Sequence, residues 1–249
     1  MSVKLRMLGT GDAFSTRFMN NNALWSDGSF NLLVDCGKTA PAAMKKLGIR
    51  FGEIDAVLIT HLHKDHTGGL AALVKARKAE GLPPMPLLVP PVLCRQLWDE
   101  VLAPGLAPEN GTGLGEVFEV RIVEPGAVYR LSGGLAIELI GTRHVAGKPS
   151  FSLLVNGFIF YSADMVFDPG LLTRLVGERS VRVILHECQL SGKGVVHTEL
   201  SELLSLPEEI RRRILLMHYG DEQPEFEGRT GEMQFLRQHA EYEWQEPLS

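Results

Sequence analysis

The chain has 249 residues and is 45% hydrophobic, enough for a sizeable core and read as a single domain over residues 1–249. No apolar run approaches the length of a membrane span, and the N-terminus enters an alternating segment without an apolar signal core, so a cytoplasmic protein with no membrane partner is expected. A net charge of −5 disfavours a long nucleic acid, and three scattered cysteines with no C-x-x-C pair support neither a disulfide framework nor a thiolate zinc site.

In chain order, residues 3–8 alternate and predict an edge strand, followed by a turn at Gly9-Thr10-Gly11-Asp12. Residues 23–25 and 30–35 predict a hairpin around Asp27-Gly28. Residues 39–47 predict a helix, with Pro41 in its first turn and Gly48 past its end. A buried strand over 54–59 precedes a helix over 70–79, which Gly81 and Pro83-Pro84 end. A strand over 87–89 and a helix over 92–102 lead to 103–115, a loop rich in Gly and Pro that is either functional or a plain surface excursion. Strands follow over 117–123, 135–140, 151–155 and 158–161, then a helix over 169–176. Two last strands end at His186 and His218, and the final thirty residues are acidic. The order β-rich, helix, β-rich, helix runs twice, which fits two mixed sheets packed face to face with helices outside, an αββα sandwich.

One hexapeptide decides the chemistry. His61-Leu62-His63-Lys64-Asp65-His66 puts three imidazoles and a carboxylate just past a buried strand. Such groups suit a borderline cation such as Zn²⁺. Alternate side chains of an extended segment share a side, so His61 and His63 can grip one metal. Asp65 and His66 come from the next turn and can face a second. His144, Asp164, His186 and His218 also lie at or just past predicted strands, and His197 follows a Gly-rich stretch; His239 lacks such a setting and reads as a surface residue. Rim loops carry chemistry while the sheet holds it still. Two dications a few ångströms apart would lower the pKa of water enough to supply hydroxide at neutral pH. Asp35 is either a hydrogen-bond acceptor for a ligand imidazole or a turn carboxylate before Gly37.

The H-x-H-x-D-H pattern, with Gly9-Thr10-Gly11-Asp12, Asp35, His144, Asp164 and His218 in this order, resembles the metallo-β-lactamase-fold hydrolases. That resemblance implies the sandwich and two Zn²⁺ per chain, with Mn²⁺ or Fe²⁺ as alternatives. It implies that His61, His63 and His144 bind one metal, that Asp65, His66 and His218 bind the other, and that Asp164 bridges them. His63 in place of Glu, and Asp164 in place of Cys, set the chain apart from the diiron and true β-lactamase branches. His186-Glu187 and His197-Thr198 resemble the ribonuclease Z-like phosphodiesterase branch, in which Glu187 and His197 would hand a proton to a leaving alkoxide. Asp65 would also orient the nucleophile. The branch's namesake activity is tRNA 3′-end cleavage, which normally uses a basic arm. No such insertion is visible; in 103–115 the single charged residue is Glu109. The segment from Asn20-Asn21-Asn22 to the motif, and Leu216-Met217-His218-Tyr219-Gly220-Asp221, look similar to compact members that hydrolyse cyclic mononucleotides, including phage-type anti-defence enzymes. A small phosphodiester, most of all a 3′,5′-cyclic mononucleotide, is therefore the expected substrate, with Tyr219 and Phe14 as candidates to grip its base and a homodimer as the implied assembly. The tRNA endonuclease, a lactonase or thioesterase on the same fold, and a non-catalytic nucleotide-binding protein are the alternatives.

Overall fold

The structure, a computed structural model, describes residues 2–106 and 112–246. Its first half supplies β1 (Ser2–Gly9), β2 (Asn22–Ser26), β3 (Asn31–Val34), β4 (Ala56–Leu58), β5 (Met85–Val89) and β6 (Phe118–Ile122). The second half supplies β7 (Val128–Arg130), β8 (Ala136–Thr142), β9 (Ser150–Val155), β10 (Ile159–Tyr161), β11 (Val183–Glu187), β12 (Ile214–Met217) and β13 (Gln234–Phe235). β14 (Glu241–Gln245) then returns to the first half. The two seven-stranded sheets run β14-β1-β2-β3-β4-β5-β6 and β13-β12-β11-β10-β9-β8-β7. Each has three antiparallel pairings followed by three parallel ones, so both follow one plan, with β14 standing where β7 stands in the other sheet.

The residues explain the pattern. β4 and β10 are buried throughout, as parallel strands covered on both faces require. β1 alternates, burying Val3, Leu5 and Met7. The main core joins Leu5, Trp25 and Val57 of the first sheet to Ile137, Leu153 and Tyr161 of the second, and takes in Met44 and Leu73 from the helices Ala40–Lys46 and Leu70–Ala79. A second cluster packs Leu172, Leu203 and Ile210 from the helices Pro169–Gly177, Leu200–Leu204 and Glu208–Arg211 around Phe160 and Ile184.

The expected hairpin forms, pairing Ser26 with Asn31, and the Asp27 carboxylate accepts the N–H groups of Ser29 and Phe30 at its turn. β1 is not the edge strand that its alternation suggested. β14 pairs outside it, matching Val3 with Trp244 and Leu5 with Tyr242. Glu241 and Glu243 disguised this strand as part of an acidic tail, yet both face Lys4 across the ladder. The expected helix over 92–102 is α-helical over Pro91–Gln96 and widens into a π-turn over Leu97–Leu102. The expected loop over 103–115 opens on a 3-10 turn, Ala103–Gly105, and its last residues begin a helical turn, Leu114–Val117; its middle, including Glu109, lies outside the described residues. Among the described residues no helix is long and apolar enough to cross a membrane.

Because β3, β4, β10, β11 and β12 each lie in the parallel part of a sheet, their carboxyl ends bring Asp35, His61, Asp164, Glu187 and His218 to one rim.

Candidate metal centre

The hexapeptide changes conformation midway. The chain leaves β4 through Thr60 and runs into His63, whose backbone is still extended (φ −68°, ψ 154°) and whose carbonyl accepts the N–H groups of His66 and Thr67. A single helical turn, Lys64–Thr67, follows. The extended part delivers His61 and His63, and the turn delivers Asp65 and His66.

Two groups of donor atoms result. His61, His63, His144 and Asp164 form one, and Asp65, His66, Asp164 and His218 the other; within each, the donor atoms lie within 4.8 Å of one another. Asp164 belongs to both. Its Oδ2 is 3.6 Å from His61 Nε2 and 3.7 Å from His144 Nε2, while its Oδ1 is 3.2 Å from His66 Nε2 and 3.4 Å from His218 Nε2. Asp65 Oδ2 lies 3.2 Å from the Nε2 atoms of both His66 and His218. The Nε2 atoms of His61 and His66 and both oxygens of Asp164 are buried without a conventional hydrogen-bond partner. Unpaired buried polar atoms are costly, and one cation in each group would satisfy all four. The donor set fits two transition-metal dications bound through nitrogen and oxygen.

Backbone strain aims several of these groups. Asp35 (φ 62°), Ala163 (φ 48°) and His218 (φ 55°) adopt left-handed conformations at the ends of β3, β10 and β12. Such residues persist where the surroundings over-determine them, as at functional sites. Orientation is fixed a layer further out. Asp35 is fully buried; its Oδ2 lies 2.7 Å from His66 Nδ1, and its carboxylate accepts the Thr60 N–H and hydroxyl at 2.9 and 2.8 Å. His144 Nδ1–H donates to the Val196 carbonyl at 2.6 Å.

The Asn20-Asn21-Asn22 stretch turns out to be scaffolding for the same centre. Asn22 Nδ2 donates to the Asp65 carbonyl at 3.1 Å, and its Oδ1 accepts the Gly37 N–H at 2.8 Å. Asn21 Nδ2 donates to the Tyr161 hydroxyl at 3.0 Å. A Cβ on Gly37 would stand 1.8 Å from the Asp65 carbonyl oxygen, so that position demands glycine.

Burial holds His61 and His63 below the usual imidazole range and His144 at about 4, leaving all three neutral at pH 7. Burial opposes ionisation of Asp65 and Asp164, but the surrounding histidines outweigh it and keep both carboxylates below their usual range. Burial would also lower His66 and His218, yet Asp164 and Asp65 prevail and hold both above the usual range, His218 at about 9. A dication entering the second group must displace those protons.

Beside the two groups, Glu187 is fully buried and its Oε1 accepts the N–H groups of Met165 and Thr198, each at 3.1 Å. Its two oxygens lie 3.2 Å from His197 Nδ1. The His197 ring stacks on His218 (centroids 5.1 Å apart) and packs on His144 (4.8 Å), so it touches one member of each group. Burial lowers His197, but Glu187 outweighs it and raises the imidazole above its usual range.

Other candidates sort differently. Tyr219 cannot grip a base: it is 1% exposed, its hydroxyl donates to the Leu236 carbonyl at 2.6 Å, and its ring packs edge-on against Phe18 and Phe235. Phe14 is 90% exposed. His186 stays in the core, where burial drives it down to about 4 and its Nδ1–H donates to the Glu187 carbonyl. His239 is not a simple surface residue, since its Nε2 is buried.

The family model of the anti-Pycsar protein Apyc1 matches residues 3–242. The anti-Pycsar protein Apyc1 of Paenibacillus sp. (strain J14) is 52% identical over 244 residues, covering 97% of this chain and 99% of that protein. The one of Bacillus phage vB_BsuM-Goe3 is 38% identical over 256 residues, covering 96% and 98%. The metallo-β-lactamase fold protein YhfI from Bacillus subtilis superposes with a TM-score of 0.79 at 16% identity, over 98% of this chain and all of that one, which shows the fold.

Proposed function

The chain belongs to the family of the anti-Pycsar protein Apyc1, and from that premise we propose that it is a metal-dependent phosphodiesterase that opens a 3′,5′-cyclic mononucleotide to the linear monophosphate. An anti-Pycsar role fits degradation of cyclic nucleotides, and a phage relative carries the same name. The observation that carries the reading is Asp164, whose two buried oxygens, without hydrogen-bond partners, stand one to each donor group.

In this reading His61, His63 and His144 would hold one dication, Asp65, His66 and His218 would hold a second, and Asp164 would serve both. Zinc is the first choice for such donors, with manganese or iron as alternatives. When bound, the pair supplies hydroxide at neutral pH and offsets charge on the phosphate oxygens. The chain's own residues do the rest. Asp65, beside His66 and His218, orients the attacking water. Glu187 holds His197 protonated, and His197 gives that proton to the leaving ribose oxygen, because an unprotonated alkoxide departs poorly. Asp35 keeps the His66 ring in its tautomer and orientation.

A small substrate suits the charge of the chain. A tRNA is held by many Lys and Arg contacts to phosphates, which a chain of net charge −5 without a basic arm does not offer. A cyclic mononucleotide carries one negative charge, which the metal pair neutralises. The same reading places the enzyme in the cytoplasm as a single-domain chain, and its likeness to compact phosphodiesterases extends to a homodimer.

The test is a substrate panel on the metal-loaded protein: cyclic mononucleotides, bis-p-nitrophenyl phosphate, precursor tRNA, a lactone and a thioester. The expected result is conversion of at least one cyclic mononucleotide, with little salt dependence. A matured tRNA 3′ end beside untouched cyclic nucleotides would overturn it.

A further inference from the structure

Phe14 is 90% exposed, yet the segment that carries it is firmly held. The Asp12 carboxylate accepts the N–H groups of Phe14 and Ser15 at 2.8 and 2.7 Å. Asp221 accepts the Ser15 hydroxyl, the Thr16 N–H and hydroxyl at 3.0 and 2.7 Å, and the Arg17 N–H at 2.9 Å. Asp12 N–H donates to the Tyr219 carbonyl at 3.1 Å, which ties the segment to the residue after His218. A loop ordered by this many bonds presents a large apolar ring to solvent two residues from Asp12, whose N–H donates to the residue after His218.

The segment leading to His197 shares that rim. Ser191 hydroxyl donates to Glu222 Oε1 at 2.8 Å, next to the Asp221 clamp, and the Gly194 N–H donates to Glu199 Oε1 at 2.8 Å. Val195, 81% exposed, precedes Val196, whose carbonyl holds His144. Two pinned segments, one leading to His197 and the other tied beside His218, thus each expose one large apolar side chain.

We propose that Phe14 and Val195 form the nucleobase-binding surface at the mouth of the metal centre, with the Phe14 ring stacking on the base. This rests on the phosphodiesterase reading. Dications held by the two donor groups, with the His197 imidazolium beside them, would draw the phosphate inward, leaving the ribose to bridge outward and the base, flat and apolar on both faces, to emerge at the rim. Every base has a π-face, so stacking binds purines and pyrimidines alike.

Steady-state kinetics on the metal-loaded full chain test this, with 3′,5′-cyclic UMP, 3′,5′-cyclic AMP and the base-free 1-O-methylribose 3′,5′-cyclic phosphate. Phe14→Ala should raise KM for both nucleotides about tenfold. It should move KM for the base-free compound far less, collapsing the wild-type preference, and Phe14→Trp should restore it. Val195→Asp should raise nucleotide KM as well. Metal content and Tm are read on each variant. Unchanged nucleotide KM in a metal-replete Phe14→Ala, or an equal rise on the base-free compound, overturns the base-binding surface. Calorimetric binding of cyclic UMP separates this failure from failure of the activity. A wild type that binds without cleaving, and a Phe14→Ala that binds more weakly, uphold the base-binding surface and overturn the hydrolytic reading; no binding by the wild type overturns both.

Discussion

Both oxygens of Glu187 lie 3.2 Å from Nδ1 of His197, and Glu187 is held in turn by the backbone of Met165 and Thr198. This pairing stabilises the imidazolium and, in the proposed reaction, would leave Nε2 as the acid. His197→Ala should keep its metals and lose roughly 10²–10⁴-fold in kcat on a substrate with an alkoxide leaving group. The loss should shrink on bis-p-nitrophenyl phosphate, whose p-nitrophenolate needs no proton. Equal losses on the two substrates would remove His197 from the acid role.

Asp164 makes a separate claim, about stoichiometry. Its oxygens face one donor group each, so one truncation should open both. Elemental analysis of purified wild type should find close to two transition-metal ions per chain, and Asp164→Ala should lose most of both. A stably folded wild type that binds no metal even from excess zinc would sink the centre.

The donor groups are legible in the sequence because metal-ligand chemistry restricts residue type: a histidine or aspartate near the end of an apolar strand is a narrow pattern, and the seven expected donors meet at one rim, while His186, in the same setting, stays in the core. The Glu187–His197 pairing rests on resemblance, since nine residues of mostly irregular chain separate the two. Asn22 stands in a stretch marked only by resemblance, and Gly37 carries no local signal. Their importance lies in hydrogen bonds and close approach to a backbone forty residues away in one case and nearly thirty in the other. Tyr219 fills the core where a base-gripping role is expected, because an aromatic with a polar tip reads the same whether it lines a mouth or fills a core. β14 is hidden in the sequence because its acidic residues are neutralised by cross-strand cations that only the fold brings beside them.

Asp35 acts through His66, with Oδ2 2.7 Å from its Nδ1. Partners of this kind typically contribute 10–100-fold to metal affinity. Asp35→Asn should weaken binding of one of the two metals by that factor in competition with a chromophoric chelator, while the other metal stays bound. Two undiminished affinities would reduce Asp35 to a turn carboxylate.

Gly37 is a steric requirement. A methyl group there meets the Asp65 carbonyl oxygen at 1.8 Å, and the neighbouring Asn22 bonds leave that peptide little room to retreat. Gly37→Ala should cost about 3 kcal/mol, as overpacking does, and should reduce metal occupancy by displacing Asp65. A denaturant midpoint and metal content both equal to wild type would show that the segment yields freely.

Asp221 links the rim to pH. Hydrogen bonds from Ser15, Thr16 and Arg17 hold its carboxyl below the usual aspartate range. A depressed folded-state pKa means that the clamp contributes fully above the ordinary value and is lost as pH falls through the lower, folded one. The segment carrying Phe14 should therefore stay ordered at pH 5 and loosen only under strong acid. Asp221→Asn removes the charge at every pH. It should speed amide exchange at Thr16 and Arg17 at pH 7, and raise nucleotide KM in the same direction as Phe14→Ala, since the ring would no longer be held at the mouth. The exchange difference should close below the folded pKa, where the wild-type carboxyl is itself neutral. Protection at Thr16 and Arg17 that is identical in the two proteins at pH 7 would show that Asp221 does not hold this loop.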